Sequence, residues 1–293
     1  MPRASESALR WLASNLPVPI VTMLRYRREY LFIKDLRAYD GDNSSVVFFT
    51  VRKCASTMMR HLLADVARCH MRLTPLNLVA YLWDATGETD VYDYLNANAQ
   101  RLFRERGICY APLRRYVDVS HLCEARVIAM LRDPRDVVVS AYYSDRFSHR
   151  APANRERKER FDARRDIMGG IAFEEWIRQE ALKTRDIYAR FRQHLNRKQV
   201  LTYEEMWTDF DGWLSRLGEC LKVGFTKSDH ARYRSLSGVD DLTRDDPLSH
   251  RRKGTPGDFR SKLSKPLADE LTELFAEELR WLYGETAGYS VLG

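Results

Sequence analysis

Six residues, Arg52-Lys53-Cys54-Ala55-Ser56-Thr57, stand between two patterned segments. Before them Ser45 to Val51 is an apolar, β-rich run long enough for a buried strand. After them Met58, Met59, Leu62, Leu63, Val66 and Ala67 recur on one helical stripe. A loop that leaves a strand and enters a helix turns its backbone N–H groups toward one spot, and the helix N-terminus adds positive potential there. Lys53 brings a mobile cation, and Ser56 and Thr57 bring hydroxyl donors. That set suits a tetrahedral anion. There is no GxxxxGK[ST], so the loop is not a Walker A loop. The plain alternative is a helix N-cap beside a lysine.

A second strand-to-helix unit spans Arg126 to Ser144. VIAML reads as a short buried strand, Asp133 as an N-cap and Pro134 as the first helical residue. Arg132 then ends the strand, with Ser140 eight residues on inside the helix. An arginine fork and a hydroxyl can converge on one phosphate from these two places. Arg135 and Asp136 read as structural partners at the helix start. A third candidate is Arg251-Arg252-Lys253-Gly254-Thr255-Pro256-Gly257-Asp258-Phe259, where cations precede two glycines. Such a segment folds over a phosphate or stays a solvated basic loop.

The elements behind these motifs follow from pattern and composition. With 293 residues, 44% hydrophobic and 30% charged, the chain is one large α/β domain or two ordinary ones. A formal charge of +7 favours an anionic partner without choosing among nucleic acid, membrane and phosphate ligand. The five cysteines form no CxxC pair, and His121 with Cys123 lacks the second half of a zinc site, so a reducing cytoplasm is the simplest setting. Residues 1–40 read as a helical extension without a signal-peptide pattern. Leu16 to Leu24, followed by Arg25, Arg27 and Arg28, allows peripheral contact with an anionic membrane, although a helix packed on the domain is the favoured reading. Thr74 to Gln100 reads as helical or irregular, and Arg150 to Asp166 as a solvated, highly charged helix or loop. Phe173, Trp176, Ile177 and Ala181 mark an amphipathic helix, and Gln199 to Met206 a third short strand ending in a polar turn. Ser237 to Gly257 reads as a mobile loop, and Leu267 to Leu282 as a closing helix. Segments 145–170 and 237–257 are expected to cover acceptor and cofactor. Strands alternating with helices imply a mostly parallel central sheet flanked by helices on both faces, with ligands at the carboxyl ends of its strands. Each motif falls at such an end.

Taken together, the motifs resemble the PAPS-dependent sulfotransferase family (PAPS, 3′-phosphoadenosine 5′-phosphosulfate), over most of the chain from about residue 45 to 260. Lys53 to Met58, K-C-A-S-T-M, is similar to the family's K-[ST]-G-[ST]-[ST]-W loop. Arg132 with Ser140 is similar to its Arg and Ser eight apart, Tyr203 to Met206 to its Y-E-[DE]-M, and RKGTPGDF to its RKGxxGDW. The resemblance implies a single sulfotransferase domain over 1–293 with the P-loop NTPase-like sulfotransferase fold. It implies that Arg52, Lys53, Cys54, Ala55, Ser56, Thr57 and Met58 line the 5′-phosphosulfate. Arg132, Ser140, Arg252, Lys253 and Gly254 would then hold the 3′-phosphate, and Tyr203 would contact the adenine. Ala55 stands where the family has glycine, and Met58 where it has an aromatic residue. The catalytic histidine of the hormone and phenol branch has no counterpart in Gly107-Ile108-Cys109-Tyr110-Ala111-Pro112-Leu113-Arg114.

Sulfuryl transfer needs a cation at the leaving oxygen, for which Lys53 is the natural choice, and a base for the acceptor hydroxyl. Asp84, His61 and His149 are the candidate bases, with His121 expected too far from the strand's carboxyl end. No metal is required, because no carboxylate cluster stands beside the loop. The acceptor is expected to be a carbohydrate, lipid or small-molecule hydroxyl rather than a nucleic acid. A nucleotide or small-molecule kinase with a divergent loop, a basic binding module, and a sulfotransferase-like protein that binds nucleotide without turnover are the competing readings.

Overall fold

Val46–Thr50 is a run of apolar, aromatic and β-branched residues, and all five are buried. Such a run suits a strand covered on both faces. The computed structural model describes residues 18–37, 39, 41–86, 91–148, 155–238 and 255–284. The elements begin with α1 (Val18–Arg25), α2 (Arg27–Ile33), β1 (Val46–Thr50), α3 (Ser56–Cys69) and β2 (Thr74–Leu76). They continue with α4 (Leu78–Thr86), α5 (Val91–Ala97), α6 (Ala99–Leu102), β3 (Ile108–Leu113) and β4 (Arg126–Leu131). Next come α7 (Pro134–Tyr143), a π turn (Ser144–Ser148), α8 (Arg155–Gly169), α9 (Phe173–His194) and β5 (Val200–Thr202). The chain closes with α10 (Tyr203–Thr208), α11 (Phe210–Leu221), α12 (Lys227–Ser237), α13 (Phe259–Lys262), α14 (Lys265–Leu274) and α15 (Ala276–Tyr283).

The sheet has five strands in the order β2-β3-β1-β4-β5. Its outer pairs are parallel: Thr74 aligns with Ile108, and Leu131 with Thr202. This is the α/β fold with a mostly parallel sheet that the alternation of elements implies. The order reverses between β1 and β4, the switch point at which open parallel sheets bind ligands. The first loop leaves β1 on that crevice, and Arg132 leaves β4 beside it.

Two compact units divide the chain. The first comprises Met1–Phe48, Leu63–Leu113 and Val117–Val127. The second comprises Phe49–Leu62, Arg114–Tyr116 and Ile128–Gly293. Tyr110 anchors the first: its ring lies 4.8 Å from Phe103 and 6.4 Å from Phe32, and its hydroxyl accepts the Arg104 N–H at 2.9 Å. In the second, Phe49 sits between Tyr116 (5.4 Å) and Phe191 (5.7 Å). A further core joins Val138 and Val139 of α7, Ile177 and Ala181 of α9, and Leu271, Phe275 and Leu279. Among the described residues no helix is long and apolar enough to cross a membrane.

Several expectations are corrected. The segment 74–100 holds the short strand β2, and Ile108–Leu113 is a fully buried strand as well. Each carries a proline, a residue that argues against a strand when pattern alone is read. Gln199 to Met206 keeps only Val200–Thr202 as strand, and Tyr203 opens a helix instead of a turn. Thr202 and Glu205 form a capping box, which supplies the missing start signal. The closing helix is interrupted at Phe275, where α14 ends and α15 begins.

Phe275 has no exposed surface and fills the core between α7, α9 and α14. Phe275→Ala is expected to lower unfolding stability by about 3–5 kcal/mol, read as a fall in denaturant midpoint. A loss below 1 kcal/mol would show that this site collapses around the smaller residue.

Candidate functional site

The loop after β1 bends through unusual backbone. Lys53 (φ 63°) and Ala55 (φ 47°) lie in the left-handed region, whereas Cys54 and Ser56 do not. Backbone that alternates in this way turns successive N–H groups into one concavity, an anion nest. Ser56 is the first residue of α3, so the helix N-terminus opens onto the same concavity. A side chain in the left-handed region is strained. The strain is held because the flanking strand and helix fix both ends of the loop.

The side chains divide between lining the loop and holding it. Cys54 is buried with its thiol on the Met130 carbonyl at 3.4 Å, and burial pushes that thiol up to about 12. It is therefore an inert part of the floor. Arg52 is engaged by two carboxylates, Asp145 at 2.5 Å and Glu180 at 3.3 Å. Arg114 donates to the Ser56 hydroxyl at 3.1 Å. Thr57 is exposed, and Met58 is half-buried beside it. Burial and the neighbouring Arg52, Arg132 and Arg114 bring the Lys53 ammonium down to about 8, with Asp145 opposing them. Lys53, Arg52, Arg132 and Arg114 thus bring their positive charges together at the loop.

Arg132 joins the motifs to one another. It is buried at the end of β4, and its guanidinium donates to the Lys53 carbonyl at 3.2 Å and the Thr255 carbonyl at 3.4 Å. It lies 4.4 Å above the Tyr203 ring, within the range of a cation–π contact. Tyr188 donates to its carbonyl at 2.6 Å. Its Nε is buried without a hydrogen-bond partner among the described residues. Asp136, one turn along α7, accepts from Arg132 at 3.4 Å and from the N–H groups of Gly257 (2.7 Å) and Phe259 (2.9 Å). Arg135 pairs with Asp133 at 2.7 Å and lies 4.2 Å over the Phe259 ring. These two residues thus have the structural part expected of them, and more: they seat the end of the third motif beside Arg132. Gly257 (φ 83°) permits the turn, because its backbone lies in a region that side chains rarely adopt.

The remaining candidates lie as follows. Ser140 is half-buried on α7. Tyr203 is buried at the start of α10, and burial pushes its phenol to about 12. Glu204 beside it accepts from the Asp133 N–H at 3.0 Å and from Tyr283 at 2.8 Å. Burial holds the Glu204 carboxyl up at about 7. His61 is exposed on α3 against Arg60 at 3.1 Å. Asp84 belongs to the first unit, where it accepts from Tyr26 at 2.9 Å and pairs with Arg25 at 3.7 Å. His121, also there, meets the Phe103 carbonyl at 3.2 Å. Arg252, Lys253, Gly254 and His149 lie outside the described residues. The loop, Arg132, Ser140 and Tyr203 all belong to the second unit. Sequence reasoning missed Arg114, whose signal was its place at the end of an unread strand. It also missed Glu180, and it reached Asp145 only as the first residue of the 145–170 segment expected at the acceptor.

The sulfotransferase domain family model matches residues 45–282. Mouse sulfotransferase SULT7A1 complexed with PAP is similar with a TM-score of 0.50 and 17% identity, over 88% of this chain and 91% of that one. Retinol dehydratase in a complex with retinol and PAP has a TM-score of 0.44 and 15% identity, over 85% of this chain and 86% of that one. No curated protein matches the sequence.

Ala55 occupies a conformation that costs a side chain about 1–2 kcal/mol, whereas glycine loses about 0.5–1 kcal/mol more backbone entropy on folding. Ala55→Gly is therefore expected to raise stability by about 0.5–1 kcal/mol in chemical denaturation. A fall in stability would contradict the strain assigned to this loop.

Proposed function

The chain belongs to the sulfotransferase domain family, and on that premise we propose that it transfers a sulfuryl group from PAPS to an acceptor hydroxyl. The observation that carries the reading is the Lys53 ammonium, brought down to about 8 by burial and by Arg52, Arg132 and Arg114 around a backbone nest. A site of this kind is relieved by a multiply charged anion. In this reading the N–H groups of the loop, with Ser56 and Thr57, hold the 5′-phosphosulfate. Arg132 and Ser140 hold the 3′-phosphate, Arg252, Lys253 and Gly254 close over it, and Tyr203 meets the adenine. Lys53 donates to the oxygen that bridges phosphorus and sulfur, where negative charge gathers as the bond breaks. The acceptor we propose is an alcohol of a carbohydrate, lipid or small molecule, and the setting the cytoplasm.

Thermal shift with 3′,5′-ADP (PAP), compared with ATP and magnesium, tests this reading. Stabilisation by 3′,5′-ADP and its loss in Arg132→Ala are expected. Stabilisation by ATP with magnesium alone would overturn it. Lys53→Ala is expected to lower turnover by about 10² or more while the fold is kept.

Affinity should also depend on pH in a defined direction. An anion in the loop restores the Lys53 ammonium toward its ordinary value, so its pKa in the complex exceeds the value near 8 of the free chain. Binding of 3′,5′-ADP is then strongest below about pH 8 and weakens above it, by up to about tenfold per pH unit. Lys53→Ala should remove that slope. A slope of opposite sign in titration calorimetry would refute the assignment.

A further inference from the structure

The acceptor hydroxyl must give up its proton as its oxygen attacks sulfur, and the second unit holds a carboxylate suited to take it. Asp145 stands on the π turn Ser144–Ser148 that follows α7. Helical distortions of this type recur at functional sites. Its Oδ1 receives Arg52 at 2.5 Å, and Oδ2 has no hydrogen bond among the described residues. Arg52 is the residue next to Lys53, and Glu180 on α9 holds the other end of its guanidinium at 3.3 Å. The backbone of the turn is fixed too, since the Asp145 carbonyl accepts from Arg165 Nε at 3.0 Å and Arg146 donates to the Arg165 carbonyl at 3.1 Å. Asp145 is partly exposed, with 22% of its side chain open to solvent. It is therefore a preorganised carboxylate with one oxygen fixed and one open.

Its charge also reaches the reacting end of the loop. Asp145 is the acidic group that acts on the Lys53 ammonium, against Arg52, Arg132 and Arg114. Arg52 therefore keeps the carboxylate oriented beside a site that will receive an anion. Around Asp145, Arg52 pairs with its carboxylate and is shared with Glu180 of α9, Lys53 feels its charge, and Arg165 of α8 holds its backbone carbonyl.

We propose that Asp145 is the general base of the reaction, a role that rests on the sulfuryl-transfer reading above. The O–S bond forms from the acceptor oxygen as the S–O bond to the phosphate breaks. The electron pair of the broken bond stays on the phosphate oxygen of 3′,5′-ADP, beside Lys53. The acceptor proton passes to Asp145 Oδ2, and the products are the sulfate ester and 3′,5′-ADP.

The test measures sulfuryl release from labelled PAPS to 2-naphthol, a sterol, glucose and water, together with 3′,5′-ADP binding by thermal shift. Asp145→Asn is expected to lower turnover by about 10² or more with the 3′,5′-ADP shift retained. The acid limb of the pH–rate profile should disappear with it, and Asp145→Glu should restore both limb and rate in part. The loss should be smaller with 2-naphthol, whose hydroxyl ionises more readily than that of an aliphatic alcohol. Turnover and 3′,5′-ADP binding falling together, with the pH profile unchanged in shape, would reduce Asp145 to a prop for Arg52 and overturn the proposal. Full turnover in Asp145→Asn would overturn it as well. Absence of sulfuryl release by the native chain to any acceptor, water included, would instead overturn the parent reading and this one with it.

Discussion

The buried guanidinium of Arg132 is the interaction on which the rest of the site depends. Burying a cation is costly unless its hydrogen bonds and charge are answered. Here the answer comes from separate parts of the chain: the Lys53 carbonyl in the first loop, Asp136 in α7, the Thr255 carbonyl and the face of Tyr203. None of these partners neighbours another in sequence except through the fold. Arg132 can therefore be satisfied only when the loop, the start of α7, the end of the third motif and the start of α10 are all in place. The guanidinium suits this task because its donors point in fixed directions and its flat face stacks on a ring. A lysine would offer a single charged point and no plane.

Asp136 completes that arrangement from the other side. Burial raises the pKa of its carboxyl, while Arg132 and the N–H groups of Phe259 and Gly257 act to lower it. A buried carboxylate with such partners is worth little as a stabiliser, since desolvation consumes most of the gain. Its value lies in position. It sets the end of the basic segment next to the arginine with which that segment shares its proposed phosphate.

Much of this was legible in the sequence, for identifiable reasons. β1 and α3 announce themselves by an apolar run and a helical stripe, and Asp133-Pro134 marks the start of α7 because both residues favour a helix N-terminus for local reasons. The strands β2 and β3 were not legible, because Pro75 and Pro112 sit within them and strand pairing is decided by neighbours distant in sequence. The same holds for the site. Lys53, Arg132 and Tyr203 lie in spaced motifs, whereas Arg114, Asp145 and Glu180 acquire meaning only from contacts across 58, 93 and 128 positions. Pattern within a segment reads the first group. The second depends on the fold that brings the segments together.

Ala55 shows how these levels trade against one another. Local preference opposes the left-handed backbone at Ala55 as it does at Lys53, yet the concavity of N–H groups requires both. Glycine would remove the conflict at Ala55 but would also loosen the loop in the unfolded chain and in its fluctuations. With alanine the conformation is enforced from outside, by β1 on one side, by α3 on the other and by Arg132 gripping the Lys53 carbonyl. A strained loop held in this way is already in the shape that an anion needs. The anion then meets donors that do not have to be reorganised on binding, which is the condition under which fixed dipoles favour a developing charge most.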